Sequence, residues 1–355
     1  MRLDFIRPIY RRAGPFASVY LDTDRSKEGA SNVIQRRWAR LRQRLAQAGA
    51  PSGVLDPIGE LVLDPAEATP GRAVFAEGRE VVLTEPLTSS PRRETARWSP
   101  LPHVVPLLAQ RGERVPHIQV LADHAGADVI IVAEGPKREL VVEAADWPIQ
   151  KTGEGGWAQY RFERDVEETW RRNAAATAEV VDKEAHGLGA EVIVLAGDPK
   201  ARGLVMEYLS KDSAKRVTVA EHGSRAPGAA PQPFQAEVDR ALRAWADRRR
   251  AELLDAYAAG PSATGLQETA RALRDTRVRT VLLKDDPSST ATMWVGPEAA
   301  QLSTDRAELL DWGVEQPVEE RADAALARAV ARTDGEIWFV SEIDSPDGVG
   351  AVLRF

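Results

Sequence analysis

The stretch Gly155-Gly156-Trp157-Ala158-Gln159-Tyr160-Arg161-Phe162-Glu163-Arg164 joins a strand-rich region to a long helical pattern, and the fold reads outward from it. Downstream, Phe162, Val166, Trp170, Ala174, Ala178 and Val181 recur every three or four residues, so a helix is expected from about Tyr160 to His186. Gly187 and Gly189 follow, as glycine does at helix C-termini. Glu191–Ala196 then reads as a buried strand and Lys200–Leu209 as a helix. Upstream, Ile118–Ala122, Asp128–Ala133 and Glu139–Glu143 read as strands, the first two joined by a turn at Ala125-Gly126. Strands alternating with helices in this order indicate an α/β domain.

Moving further out, Met1 to Pro116 combines strands and a helix. Phe16–Asp22 is an expected strand and Gly71–Leu87 an expected hairpin. A helix over Asn32–Ala48 buries Ile34, Trp38, Leu41 and Leu45, and its other face carries Arg36, Arg37, Arg40, Arg42 and Arg44. Pro86, Pro91, Pro100, Pro102 and Pro106 suggest a connector. Gly223–Pro233 has linker composition, and Phe234–Phe355 again alternates helices and strands. The expected division is therefore an N-terminal α+β domain at 1–116, a central α/β domain at 117–222, a linker at 223–233 and a C-terminal α/β domain at 234–355.

Chemistry is sparse. The chain has no cysteine, which excludes disulfides, thiolate nucleophiles and Cys-bound metal clusters. No phosphate-binding P-loop, zinc-protease, serine-hydrolase or dinucleotide motif is present. His103, His117, His124, His186 and His222 are scattered and read as solvated polar residues, so no metal and no cofactor is expected. No apolar run reaches membrane-spanning length, and Met1–Gly14 lacks a signal-peptide core, so a cytoplasmic location and no membrane partner are expected. The net charge of −7, from 47 Lys+Arg and 54 Asp+Glu, is not that of a typical nucleic-acid binder. Local charge says otherwise. Arg161 and Arg164 share one face of the first helical turns, suited to phosphate, after glycines that let a backbone approach a ligand closely. The same pattern also fits a hairpin tip before a solvated surface helix, and Trp157 and Tyr160 fit either base stacking or core burial.

Gly155-Gly156, followed after a short spacer by Arg161-Phe162-Glu163-Arg164 and a long helix, resembles the Gly-Gly-Gln loop region of archaeo-eukaryotic class I release factors. Val192–Gly197 resembles a strand of their central domain, and Gly265–Leu283 resembles part of their L7Ae/L30e-like C-terminal domain. The resemblance covers about residues 117–355 and implies a release-factor-like central domain with a glycine-rich loop. The first segment lacks the Asn-Ile-Lys-Ser of a stop-codon reader. Trp157 stands where the family has its glutamine, and an indole is a donor only, so it cannot replace an amide that positions water. Gln159 would have to take over for peptidyl-tRNA hydrolysis.

The sequence is similar to a bacterial branch of the family that includes Balon-like hibernation factors and actinobacterial, dormancy-associated relatives. That similarity implies a non-catalytic ribosome hibernation or protection factor, acting in stress, with the 70S ribosome as partner through rRNA at the A site and peptidyl-transferase centre. It also implies association with elongation factor Tu. The expected contact residues are Gly155, Gly156, Trp157, Ala158, Gln159, Tyr160, Arg161 and Arg164, with Arg36, Arg37, Arg40 and Arg44 as a second set. The alternatives are a peptidyl-tRNA hydrolase in ribosome rescue and an RNA-binding adaptor with no ribosomal role.

Overall fold

Alternation along the first strand decides the packing of the N-terminal layer. In β1 (Phe16–Leu21), Ala17, Val19 and Leu21 face one core while Phe16 and Tyr20 face another, so the strand is buried on both sides. The first of these cores is closed by α1 (Ala30–Gln47) through Ile34, Trp38, Leu41 and Leu45, and by α2 (Ser52–Leu63) through Val54, Leu55, Ile58 and Val62. The α1 stripe is the expected one; α2 was not anticipated. Gly59 makes the helix pair possible, because a Cβ there would meet the Trp38 Nε1 at 2.9 Å. β2 (Gly71–Glu77) and β3 (Glu80–Leu87) form the expected hairpin. The proline-rich stretch is structured rather than a plain connector. It contains β4 (Thr95–Ser99), paired antiparallel to β1, and α3 (Val105–Arg111), with Pro106 in its first turn where no N–H is needed. The sheet order is β3-β2-β1-β4.

The computed structural model describes residues 1–66, 68–112, 115–133, 137–143, 157–286 and 288–355, the side chains of 157–166 excepted. They contain β5 (His117–Asp123), β6 (Gly126–Val132), β7 (Arg138–Glu143), α4 (Trp157–Leu188), β8 (Val192–Gly197), α5 (Pro199–Tyr208), α6 (Lys211–Ala214), β9 (Val217–Val219) and α7 (Pro231–Ala259). The strands form one mixed sheet, β7-β6-β5-β8-β9, in which β8 runs parallel to both β5 and β9. Ile193 and Leu195 of β8 face α4 and α5, against Ala174, Ala178 and Val181; Val192, Val194 and Ala196 face Phe234 and Val238 of α7. Small α4 residues let that helix approach the sheet closely. The expected linker at 223–233 is tied down at Arg225, whose Nη1 donates to Asp123 at 2.9 Å and whose Nε donates to Asp128 at 3.0 Å, and its last residues already belong to α7.

The remaining elements are β10 (Ser262–Thr264), α8 (Gly265–Arg274), β11 (Val278–Lys284), β12 (Thr292–Val295), β13 (Leu302–Ser303), α9 (Arg306–Asp311), β14 (Val318–Arg321), α10 (Ala322–Ala331), β15 (Glu336–Val340) and β16 (Val349–Leu353). They form the sheets β10-β16-β11-β15 and β13-β12-β14. α10 is alanine-rich and buried nearly all round, as a helix inside a core must be. Its Leu326 and Val330 share one apolar cluster with Ile6, Ile9, Phe16, Tyr20 and Phe75 from the start of the chain. The compact units are accordingly two, 1–112 with 250–355 and 113–249. They cut the chain differently from the expected boundaries at 116, 222 and 233, because a core assembled from both ends of a sequence leaves no local signature. The protein is thus a mixed α/β multidomain chain.

Candidate functional site

Strand register places the candidate site of the 113–249 unit. Glu143, last in β7, pairs with Gly126, and Ala122 of β5 pairs with Gly197, last in β8. The end of β7, the β5–β6 turn and the start of α5 therefore lie at one end of the sheet. Gly197 sits at φ +112, and a Cβ there would come within 1.9 Å of the Ala122 carbonyl oxygen, so only glycine fits.

At this end His124 stacks on Trp170 of α4, ring centroids 3.9 Å apart and planes 20° apart. The Lys200 ammonium lies 4.6 Å from the same indole centroid. His124 Nε2 stands 3.4 Å from Asp198 Oδ1. Asp198 caps α5, accepting from the N–H groups of Lys200 at 2.9 Å and Ala201 at 3.1 Å. Those backbone N–H groups, Ala201 first, together with His124 hold its carboxyl below the usual range. Asn173 Nδ2 donates to the His124 carbonyl oxygen at 2.9 Å, fixing the turn to the helix. The sequence reading placed Trp170 in an apolar stripe and His124 among solvated residues; their pairing joins positions far apart in the chain. His117 also differs from its expected solvated state. It is buried in β5, with Nδ1 2.8 Å from the Val115 carbonyl oxygen, and burial pushes its pKa down.

Trp157 precedes Trp170 by 13 positions, which at 1.5 Å per residue is about 20 Å of helix before the His124 contact. By backbone, Trp157, Ala158, Gln159, Tyr160, Arg161 and Arg164 lie on these opening turns, which begin three residues before the expected start at Tyr160. Gly155 and Gly156 lie outside the described residues, as do the side chains of Trp157 to Arg164. Farther along, Arg171 and Arg172 pair with Glu167 and Glu168 one turn back.

The α1 arginines have acidic neighbours from other elements. Arg37 reaches Asp22 at 3.1 Å and Glu94 at 3.2 Å, Arg40 reaches Glu94 at 2.5 Å, and Arg42 reaches Asp56 at 2.7 Å. Arg36 donates to the Asn32 carbonyl oxygen at 3.3 Å, and Arg44 is exposed in the last turn. Arg37, Arg40 and Arg42 thus stand in partly exposed ion pairs, which contribute little and exchange partners at little cost, whereas Arg36 and Arg44 have no acidic partner among the described residues.

The other unit has a buried polar seam. Arg321 Nε donates to Asp323 Oδ1 at 3.0 Å, and His103 Nε2 is 3.7 Å from Asp323 Oδ2. Burial alone would raise the Asp323 carboxyl, but His103 and Arg321 outweigh it and hold the pKa well below the ordinary value. Glu320, 3% exposed, is 3.8 Å from Arg97, and burial pushes its pKa up. The Tyr20 hydroxyl donates to the His103 carbonyl oxygen at 2.7 Å and accepts from Leu107 N–H at 3.1 Å. Tyr10 Oη has no partner among the described residues. Among those residues no cluster of three or more His, Asp or Glu side chains is arranged to hold a metal ion, and no helix is long and apolar enough to cross a membrane.

A five-stranded mixed sheet flanked by long helices, one of them following its edge strand, makes this a mixed α/β multidomain protein. Residues 116–262 match the model of bacterial archaeo-eukaryotic release factor family 2. The uncharacterized protein Rv2629 of Mycobacterium tuberculosis strain H37Rv is 29% identical over 370 residues, covering 100% of this chain and 97% of its own. Among solved structures, ribosome-bound archaeal Pelota matches at 17% identity and TM-score 0.38, over 81% of this chain and 73% of its own. Archaeoglobus fulgidus Pelota matches at 16% and 0.33, over 80% and 79%. The archaeal termination factor aRF1 matches at 13% and 0.24, over 97% and 93%.

Proposed function

We propose that this chain is a ribosome-associated hibernation or protection factor that occupies the A site of the 70S ribosome and extends the segment from Gly155 to Arg164 toward the peptidyl-transferase centre without catalysis. The observation that carries the reading is the length of α4 beyond its anchor: about 20 Å of helix precedes the Trp170–His124 contact. A long helix that leads from an anchored sheet end suits entry into a narrow RNA-lined cavity. The match of residues 116–262 to a release-factor family model supports a ribosomal partner. In this reading Trp157 and Tyr160 stack on exposed bases, Arg161 and Arg164 meet phosphates, Arg37 and Arg40 exchange their acidic partners for rRNA, and Arg36 and Arg44 meet it directly. Elongation factor Tu is the proposed accompanying protein.

Co-sedimentation of the full chain with 70S ribosomes tests this directly. Arg161→Ala with Arg164→Ala should weaken binding and flatten its salt dependence by about two phosphate contacts. Unchanged binding would remove those arginines from the interface, and absence of the chain from the ribosomal fraction would end the ribosomal reading. Release of peptide from stalled peptidyl-tRNA, abolished by Gln159→Ala, would instead establish a hydrolase.

A further inference from the structure

The 1–112 and 250–355 unit contains a cleft of about 770 Å³, within the size range of small-molecule sites, about 300–1,000 Å³. One wall comes from the segment around β4 and from α3, the other from the end of β11 and the turns that follow. Its apolar lining includes Val105, Pro106, Ala109, Leu283, Ile343 and Val349. The inner charges satisfy one another, since Arg321 and His103 are both committed to Asp323. The rim differs. Arg92 Nη1 donates to Asp285 at 2.6 Å and draws the two walls together. The next residue beyond Arg92 and the one before Asp285 are Arg93 and Lys284, and both line the cleft. Arg93 has no hydrogen-bond or ion-pair partner among the described residues, and Lys284 meets only the through-space field of Asp286. Asp286 and the Thr290 hydroxyl line the same cleft.

Cations without committed partners call for an anion, a carboxylate beside a hydroxyl suits sugar hydroxyls, and an apolar lining suits a planar body. We infer that this cleft binds a phosphorylated ribose, free or within a nucleotide, with the phosphate on Arg93 and Lys284 and the sugar hydroxyls toward Asp286. The inference stands apart from the ribosomal reading, because it concerns a different unit and a different ligand.

Isothermal titration calorimetry of the full chain tests it with four probes: inorganic phosphate, ribose 5-phosphate, adenosine 5′-monophosphate and a 5′-phosphorylated hexaribonucleotide. Ribose 5-phosphate should bind more tightly than phosphate, and the mononucleotide more tightly still. Binding of the hexaribonucleotide alone would assign the ribose phosphate to an RNA strand. Arg93→Gln and Lys284→Gln should each weaken binding about tenfold, the usual scale for a lost charge-assisted hydrogen bond. Both positions are exposed, so the fold, followed by circular dichroism, should be unchanged. Thr290→Trp, also at an exposed position, should block the cleft and abolish binding. Failure of all four probes to bind, or binding indifferent to all three substitutions, overturns the inference.

Discussion

The two units spend their polar groups differently. In the 113–249 unit, the core between sheet and helices is apolar and the notable polar contacts gather at one sheet end, where His124, Asp198 and Lys200 surround a half-buried Trp170. In the other unit, Glu320 and Arg328 are buried and the Arg321–Asp323 pair is half-buried, where early and late parts of the chain meet. A buried charge tolerates few wrong partners, because each unpaired group retains its desolvation cost. The seam therefore suits a structural task, fixing which distant segments pair, whereas the sheet-end cluster suits orientation of α4.

Breaking the seam should have the largest effect. Asp323→Ala leaves Arg321 without its bidentate partner in a protected site, and urea unfolding should show a loss of about 3 kcal/mol. The pH dependence follows from the lowered pKa. Asp323 adds stability that is complete above its unfolded value, near 3.8, and is lost as pH falls below it. In Asp323→Asn, the fall in stability below about pH 4 should be correspondingly shallower. At the sheet end, Trp170→Ala removes one stacking and one cation–π contact and should cost about 1–2 kcal/mol in the same measurement. A loss equal to that of Asp323→Ala would erase the proposed contrast between the units.

Glu320 sharpens it with the opposite sign. Its raised pKa means that folding disfavours the ionised form, so its contribution is best below the unfolded pKa and declines as pH rises through the folded one. Glu320→Gln should raise stability at pH 7 by about 1 kcal/mol, and the gain should vanish in acid.

Much of the local structure was legible in the residues. Ile34, Trp38, Leu41 and Leu45 mark α1 at helical spacing, and all four are buried. The strands β5, β6 and β8 stand where short apolar runs bounded by turns put them. Hidden features depend on separation along the chain. Glu94 meets Arg40 across 54 positions, and no spacing rule joins them. Trp170 carries the same apolar signal as its buried neighbours, so its stacking role at the sheet end emerges only once His124 is placed. Prolines 86–106 punctuate the sequence strongly, yet β4 pairs between them and Pro106 starts a helix. Punctuation shows where an element cannot continue, not whether a short one fits between marks.

The divided core also bears on the order of synthesis. From Gly112 to Arg250 is 138 positions, which at about 5–20 residues per second takes roughly 7–28 s to translate. Throughout that interval the helical turns at Asp4–Arg11 and α3, against which α10 packs, have emerged without it. The middle unit can complete its own sheet in the same period. A nascent chain of this protein thus shows an apolar surface that the finished molecule conceals, in its first hundred or so residues.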